Sequence, residues 1–130
     1  MITWFEEHNK LSWAITIFGA VMIFYLSSIT FDVPSLGPNE MNLISMIYHV
    51  SAFFCLAWFL FISVRRINYV FGLSLVMAMF YGFLDEVHQL YVVGRFCTFA
   101  DFALDTAGIL FASMLYFIFV KYRQIKIQNL

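Results

Sequence analysis

The chain has little charge. Only 12% of its 130 residues are Asp, Glu, Lys or Arg, whereas 63% are hydrophobic. A soluble domain carries roughly 25% charged residues, so a soluble fold is excluded. The formal net charge is −1 and no basic stripe is present, which argues against nucleic-acid binding. Proline is almost absent: both copies lie in the segment "FDVPSLGPNEMN", residues 31–42, so the other runs are free of this helix breaker. Of the two cysteines, Cys55 lies deep in an apolar run and Cys97 in a turn region, so no disulfide between them is expected. There is no internal repeat, low-complexity tract or soluble linker, so nothing marks a second domain.

What is abundant is uninterrupted hydrocarbon. Leu11 to Thr30 carries no formal charge, Leu43 to Val64 has only His49 as an ionisable group, Ile67 to Leu84 is uncharged, and Phe102 to Val120 carries only Asp105. As a helix rising about 1.5 Å per residue, each run can cross roughly 30 Å of hydrocarbon. The expectation is an all-α integral membrane four-helix bundle. Residues 1–130 form one transmembrane domain, with spans at about 11–30, 43–64, 67–89 and 98–120. The first run lacks a small-residue cleavage site and follows Glu6 and Glu7, so it reads as a span, not a signal peptide. Residues 1–10 form a short amphipathic lead-in, with Trp4, Phe5 and Trp13 suited to the interface.

Orientation follows from the basic residues. With four spans, Lys10, Arg65, Arg66, Lys121, Arg123 and Lys126 share one side and Arg95 alone occupies the other. The positive-inside rule then makes the N- and C-termini cytoplasmic. Asp32, Glu40, Asp85, Glu86, Asp101 and Asp105 fall at or near the outer face.

Four of the chain's eight carboxylates lie in "DEVHQLYVVGRFCTFADFALDTAG", residues 85–108. Depth brings other polar groups to the same level. Ser27 and Ser28 end the first span, His49 lies roughly 9 Å into the second, Asp85, Glu86, His88 and Gln89 end the third, and Asp101 and Asp105 begin the fourth. Helical spacing places Asp101, Asp105, Gly108 and Ala112 on one stripe. Ser74, Ala78 and Gly82 make a second, continued by Asp85 and Gln89, with Glu86 and His88 on its shoulders. Ser45, His49 and Ala52 make a third. Small residues mark faces where membrane helices approach closely, so these polar groups should point into the bundle. Plainer roles also fit: Thr98 and Asp101 as a capping box, Asp85 and Glu86 as interfacial charges, Arg95 in a simple ion pair, Gly94 as a turn residue, and His49 bonded to a serine. Asp105 fits these least, because an ionised carboxylate inside a span is costly and intramembrane ionisable groups are functional candidates by default.

The 85–108 stretch resembles the signature of the VanZ-like membrane family: an acid and a glutamine ending one helix, a Gly-Arg turn, then two spaced aspartates and a glycine opening the next. "IFYLSS", residues 23–28, is similar to that family's first-span ending, and "MIYHVSAFF", residues 46–54, to its histidine segment. The similarity covers about residues 11–120. Two departures stand out: many members carry Asn where Asp105 stands, and family segments often read Asp-Lys where Ile47 and Tyr48 precede His49. The resemblance implies motif positions at His49, Glu86, Gln89, Gly94, Arg95, Asp101, Asp105 and Gly108. It also implies an association with low-level resistance to the glycopeptide antibiotic teicoplanin, without naming a reaction.

Three readings follow. The first is an outward-facing site that binds or modifies a lipid headgroup, a lipid-linked cell-wall precursor or the antibiotic. Its candidate catalytic or binding residues are His49, Glu86, Gln89, Arg95, Asp101 and Asp105, with Asp85 and His88 ranked below them. Arg95 would clamp phosphate or carboxylate, and Glu86 with His49 would form the acid-base pair of any chemistry. The second is a metal-dependent hydrolase, the divalent ion held by His49, Glu86 and Asp105, although the spacing matches no standard zinc motif. The third is a polar ring that only locks the helices, in a protein serving as a partner for envelope enzymes. The sequence leaves open whether any reaction occurs. A transporter is disfavoured, because neither a repeat nor a broken helix is visible.

Overall fold

The structure is a computed structural model and describes residues 2–30, 43–64, 69–95 and 98–129. All regular structure among these residues is helical. A short helix α1 (Ile2–Glu7) precedes four long ones, α2 (Asn9–Ser27), α3 (Leu43–Val64), α4 (Tyr69–Gln89) and α5 (Phe99–Gln128). The four long helices are each long and apolar enough to cross a bilayer. Asp32, Glu40, Arg65, Arg66 and Cys97 lie outside the described residues.

The lead-in is helical but separate from the first span. His8 leaves helical geometry at φ −97° and ψ 55°. Its Nδ1–H donates to the Trp4 carbonyl at 2.9 Å and its ring stacks on Trp4 at 4.2 Å. That side chain satisfies a carbonyl at the break between α1 and α2. Phe5 then anchors α1 edge-on against Phe59 of α3. At the other extreme, α5 runs to Gln128, well past the expected end near 120, because nothing in "KYRQIK" terminates a helix.

Helix α3 is the centre of the bundle and packs against α2, α4 and, most extensively, α5. The intimacy of α3 and α5 has a specific cause at Gly108. A methyl group there would sit 2.4 Å from the Val50 carbonyl oxygen and 3.1 Å from the Phe54 nitrogen. Only a residue without a side chain lets these backbones meet, as at other close membrane-helix contacts. Tyr81 ties α4 to α2 by donating to the Ala20 carbonyl at 2.6 Å.

The middle and one end of the bundle are filled with hydrocarbon. Phe53, Phe61, Ile62, Ile109 and Tyr116 are fully buried. Phe71 stacks on Tyr116 and lies 4.8 Å from Phe61, with Trp58 edge-on to Tyr116. At that end Thr16 and Ser63 face each other between α2 and α3 at 3.4 Å. The outer surface is apolar as well: Ile17, Phe18, Val21, Val76, Met77, Phe80, Phe111 and Ile118 are all exposed. In water such a surface would drive aggregation; against acyl chains it is neutral. The chain is a multi-pass membrane protein.

Candidate functional site

The polar side chains gather at the opposite end, where α2 and α4 finish and α3 and α5 begin. Asp85, Glu86, Gln89, His49 and Asp105 are each at most 4% exposed there. Burial this complete demands partners, and most partners come from neighbouring helices.

Ser27, at the end of α2, turns its hydroxyl onto the Asp85 carboxylate of α4, at 2.6 and 2.8 Å from the two oxygens. Gln89, one turn beyond Asp85, donates to Asp85 at 3.2 Å and to Glu86 at 3.3 Å. Glu86 also accepts the backbone N–H of Thr98 at 3.2 Å, which joins α4 to the start of α5. Thr98 caps α5: its Oγ1 accepts from the Asp101 amide at 3.0 Å and donates to the Asp101 carboxylate at 2.6 Å. This is not the reciprocal capping box that the spacing suggests. The amide that Asp101 would have accepted in that box is taken by Glu86, so the cap is spliced into the polar network.

Helix α3 completes it. The Nδ1–H of His49 donates to Asp105 Oδ1 at 2.8 Å, and Nε2 lies 4.0 Å from an Asp101 oxygen. One run of contacts therefore links all four long helices, from Ser27 through Asp85, Gln89, Glu86, Thr98 and Asp101 to His49 and Asp105. Donor atoms of His49, Glu86 and Asp105 all lie within 4.8 Å of one another.

Among the described residues three buried side-chain atoms here have no hydrogen-bond partner: Asp105 Oδ2, the Tyr48 hydroxyl and the hydroxyl of Thr106. Asp105 is fully buried, yet its Oδ2 receives no hydrogen bond. The hydroxyl of Tyr48 is also buried and unbonded, and lies close enough to Asp85, Asp105 and Arg95 to feel their charges. Arg95 follows Gly94, whose φ of +82° makes the turn after α4. It is partly buried, and its guanidinium forms no ion pair or hydrogen bond among the described residues.

His88 is turned away from the cluster. It stacks on Phe24 at 4.2 Å and bonds Ser28 at 2.9 Å, clasping α4 to α2. Tyr48 was invisible to sequence reasoning as a polar group of the site. Its position one residue before an inward histidine was the available signal, but an aromatic in a span reads as bulk.

The VanZ/LLP1 family model matches residues 5–120. The chain belongs to the VanZ/LLP1 family. The match spans the whole network described above. Comparison with curated proteins and with solved structures finds no significant match.

Proposed function

We propose that this VanZ-like protein uses the network as an outward-facing site for the phosphate or carboxylate headgroup of a cell-envelope lipid or lipid-linked cell-wall precursor. The carrying observation is the connected network from four helices beside Arg95, whose guanidinium has no ion pair or hydrogen bond among the described residues. Interhelical polar contacts in membranes contribute only about 0.6 kcal/mol each. Three buried carboxylates on two helices are therefore a poor device for stability alone. The preponderance of Lys and Arg at the other loops and termini supports cytoplasmic ends and an external site.

In this reading the four spans act as one membrane domain. Arg95 clamps the anionic group, since a guanidinium fork suits phosphate and carboxylate. Ser27, Ser28 and Gln89 orient it. His49, held in place by Asp105, and Glu86 form the proton-transferring pair if the headgroup is modified, with Asp101 beside the free imidazole nitrogen. Capture of a wall precursor, or of the glycopeptide itself, would give the teicoplanin association that the family resemblance implies.

The test compares wild type with Arg95→Ala. Lipid retained through mild detergent extraction is measured by native mass spectrometry, and teicoplanin susceptibility is measured in cells. Charge-assisted hydrogen bonds are worth about 1.5–3 kcal/mol, so retention of acidic lipid should fall roughly 10- to 100-fold, with the fold intact and susceptibility restored. Wild-type retention and susceptibility in Arg95→Ala would refute the site.

A further inference from the structure

The network is short of positive charge. Asp85, Glu86, Asp101 and Asp105 meet within it, yet their donors are almost all neutral: the Ser27 and Thr98 hydroxyls, the Gln89 amide and a backbone N–H. Asp105 accepts from His49 through Oδ1 and from nothing through Oδ2, although it is fully buried. That oxygen faces α4: a Cβ placed on Gly82, one turn before Glu86, would lie 3.8 Å from it. A carboxylate oxygen sealed from water without a donor is costly, and a cation bound there would relieve that cost.

We propose that His49, Glu86 and Asp105 hold a divalent metal ion of the zinc or manganese class. The inference deepens the headgroup reading and rests on it for the ion's role, though not for its presence. The donor set is one imidazole nitrogen and carboxylate oxygens, the mixture that suits these ions. With a neutral imidazole, the two carboxylates match the ion's charge. Tetrahedral donors at about 2.0–2.2 Å from an ion lie roughly 3.4 Å apart. Here the donor atoms are within 4.8 Å of one another before any ion draws them in. For Nδ1 to ligate the ion its proton must move to Nε2, and Asp101, 4.0 Å from Nε2, is the outer carboxylate that this N–H would then face.

Three protein ligands leave a coordination position open, the arrangement of zinc sites that take water or substrate. A phosphate oxygen at that position, with Arg95 on the same group, resolves a difficulty: a mouth lined by carboxylates otherwise repels an anion. The ion cancels the charge of Glu86 and Asp105 and offers a coordination position, so that with Arg95 it can hold an anionic oxygen of defined class, a phosphate ester.

The test uses the full chain purified in detergent through a tag without histidine, washed free of chelator and loaded with Zn²⁺ or Mn²⁺. Metal content should be about one ion per chain in wild type and in His88→Ala. It should fall at least about tenfold in His49→Ala, Glu86→Gln and Asp105→Asn. Loading wild type with Co²⁺ should give ligand-field bands in the visible, which decides the matter if a variant misfolds. Uptake below about a tenth of an equivalent, uptake unchanged in all three variants, or Co²⁺ without such bands overturns the site. Arg95→Ala separates the two readings. Metal kept with lipid lost supports both, and metal kept with lipid also kept overturns the headgroup reading alone.

Discussion

Gly108→Ala is the smallest change that should dismantle the site from a distance. The added methyl would lie 2.4 Å from the Val50 carbonyl oxygen, about 1 Å short of ordinary contact, which begins at 3.4 Å. The obstruction is backbone, so no side chain can swing aside, and α3 and α5 must separate. His49 is the residue before Val50, and Asp105 is one turn before Gly108. A separation of roughly 1 Å therefore stretches their 2.8 Å hydrogen bond beyond bonding range. Overpacking of this kind costs about 1–3 kcal/mol. Reversible unfolding in mixed detergent micelles would measure it, alongside lipid retention, which should also fall. A variant within about 0.5 kcal/mol of wild type and with normal lipid retention would refute the packing argument and its link to the site.

Other outcomes are expected from single contacts. Thr98→Ala removes the N-cap of α5 and should lower unfolding stability by about 1 kcal/mol, whereas Thr98→Ser should restore most of it because the hydroxyl is kept. Ser27→Ala takes away the closest donor to the buried Asp85 and should cost about 1–3 kcal/mol. Ser51→Ala, at an exposed position where the hydroxyl bonds only its own helix, should change stability by no more than about 0.5 kcal/mol in the same assay. Equal effects of the two serine changes would mean that Asp85 does not depend on Ser27.

The inward faces of the helices were legible because small residues and acids share one helical spacing. Asp105, Gly108 and Ala112 are buried together, as are Ser74, Ala78, Gly82, Asp85 and Gln89. The choice of partners was not legible. His49 could equally have met a serine, and its bond to Asp105 depends on how closely Gly108 lets α3 approach α5. The Thr98 amide looked committed to Asp101 by local spacing, but a tertiary contact with Glu86 takes it instead. His88 sits on the edge of an inward stripe, and packing against Phe24 decides its direction. Helix ends followed local chemistry more than hydropathy: α2 stops at Ser27, before the apolar run ends, and α5 continues through polar residues to Gln128.

Sidedness carries the account, because a headgroup site requires the network to open outward. Val93→Cys, beside the site and 92% exposed, and Gln124→Cys, at the far end of α5, are introduced singly with Cys55 and Cys97 replaced by serine. A membrane-impermeant maleimide applied to intact cells should label Val93→Cys at once and Gln124→Cys only after permeabilisation. Labelling of Gln124→Cys alone in intact cells would place Arg95 and its carboxylates in the cytoplasm and contradict the proposal.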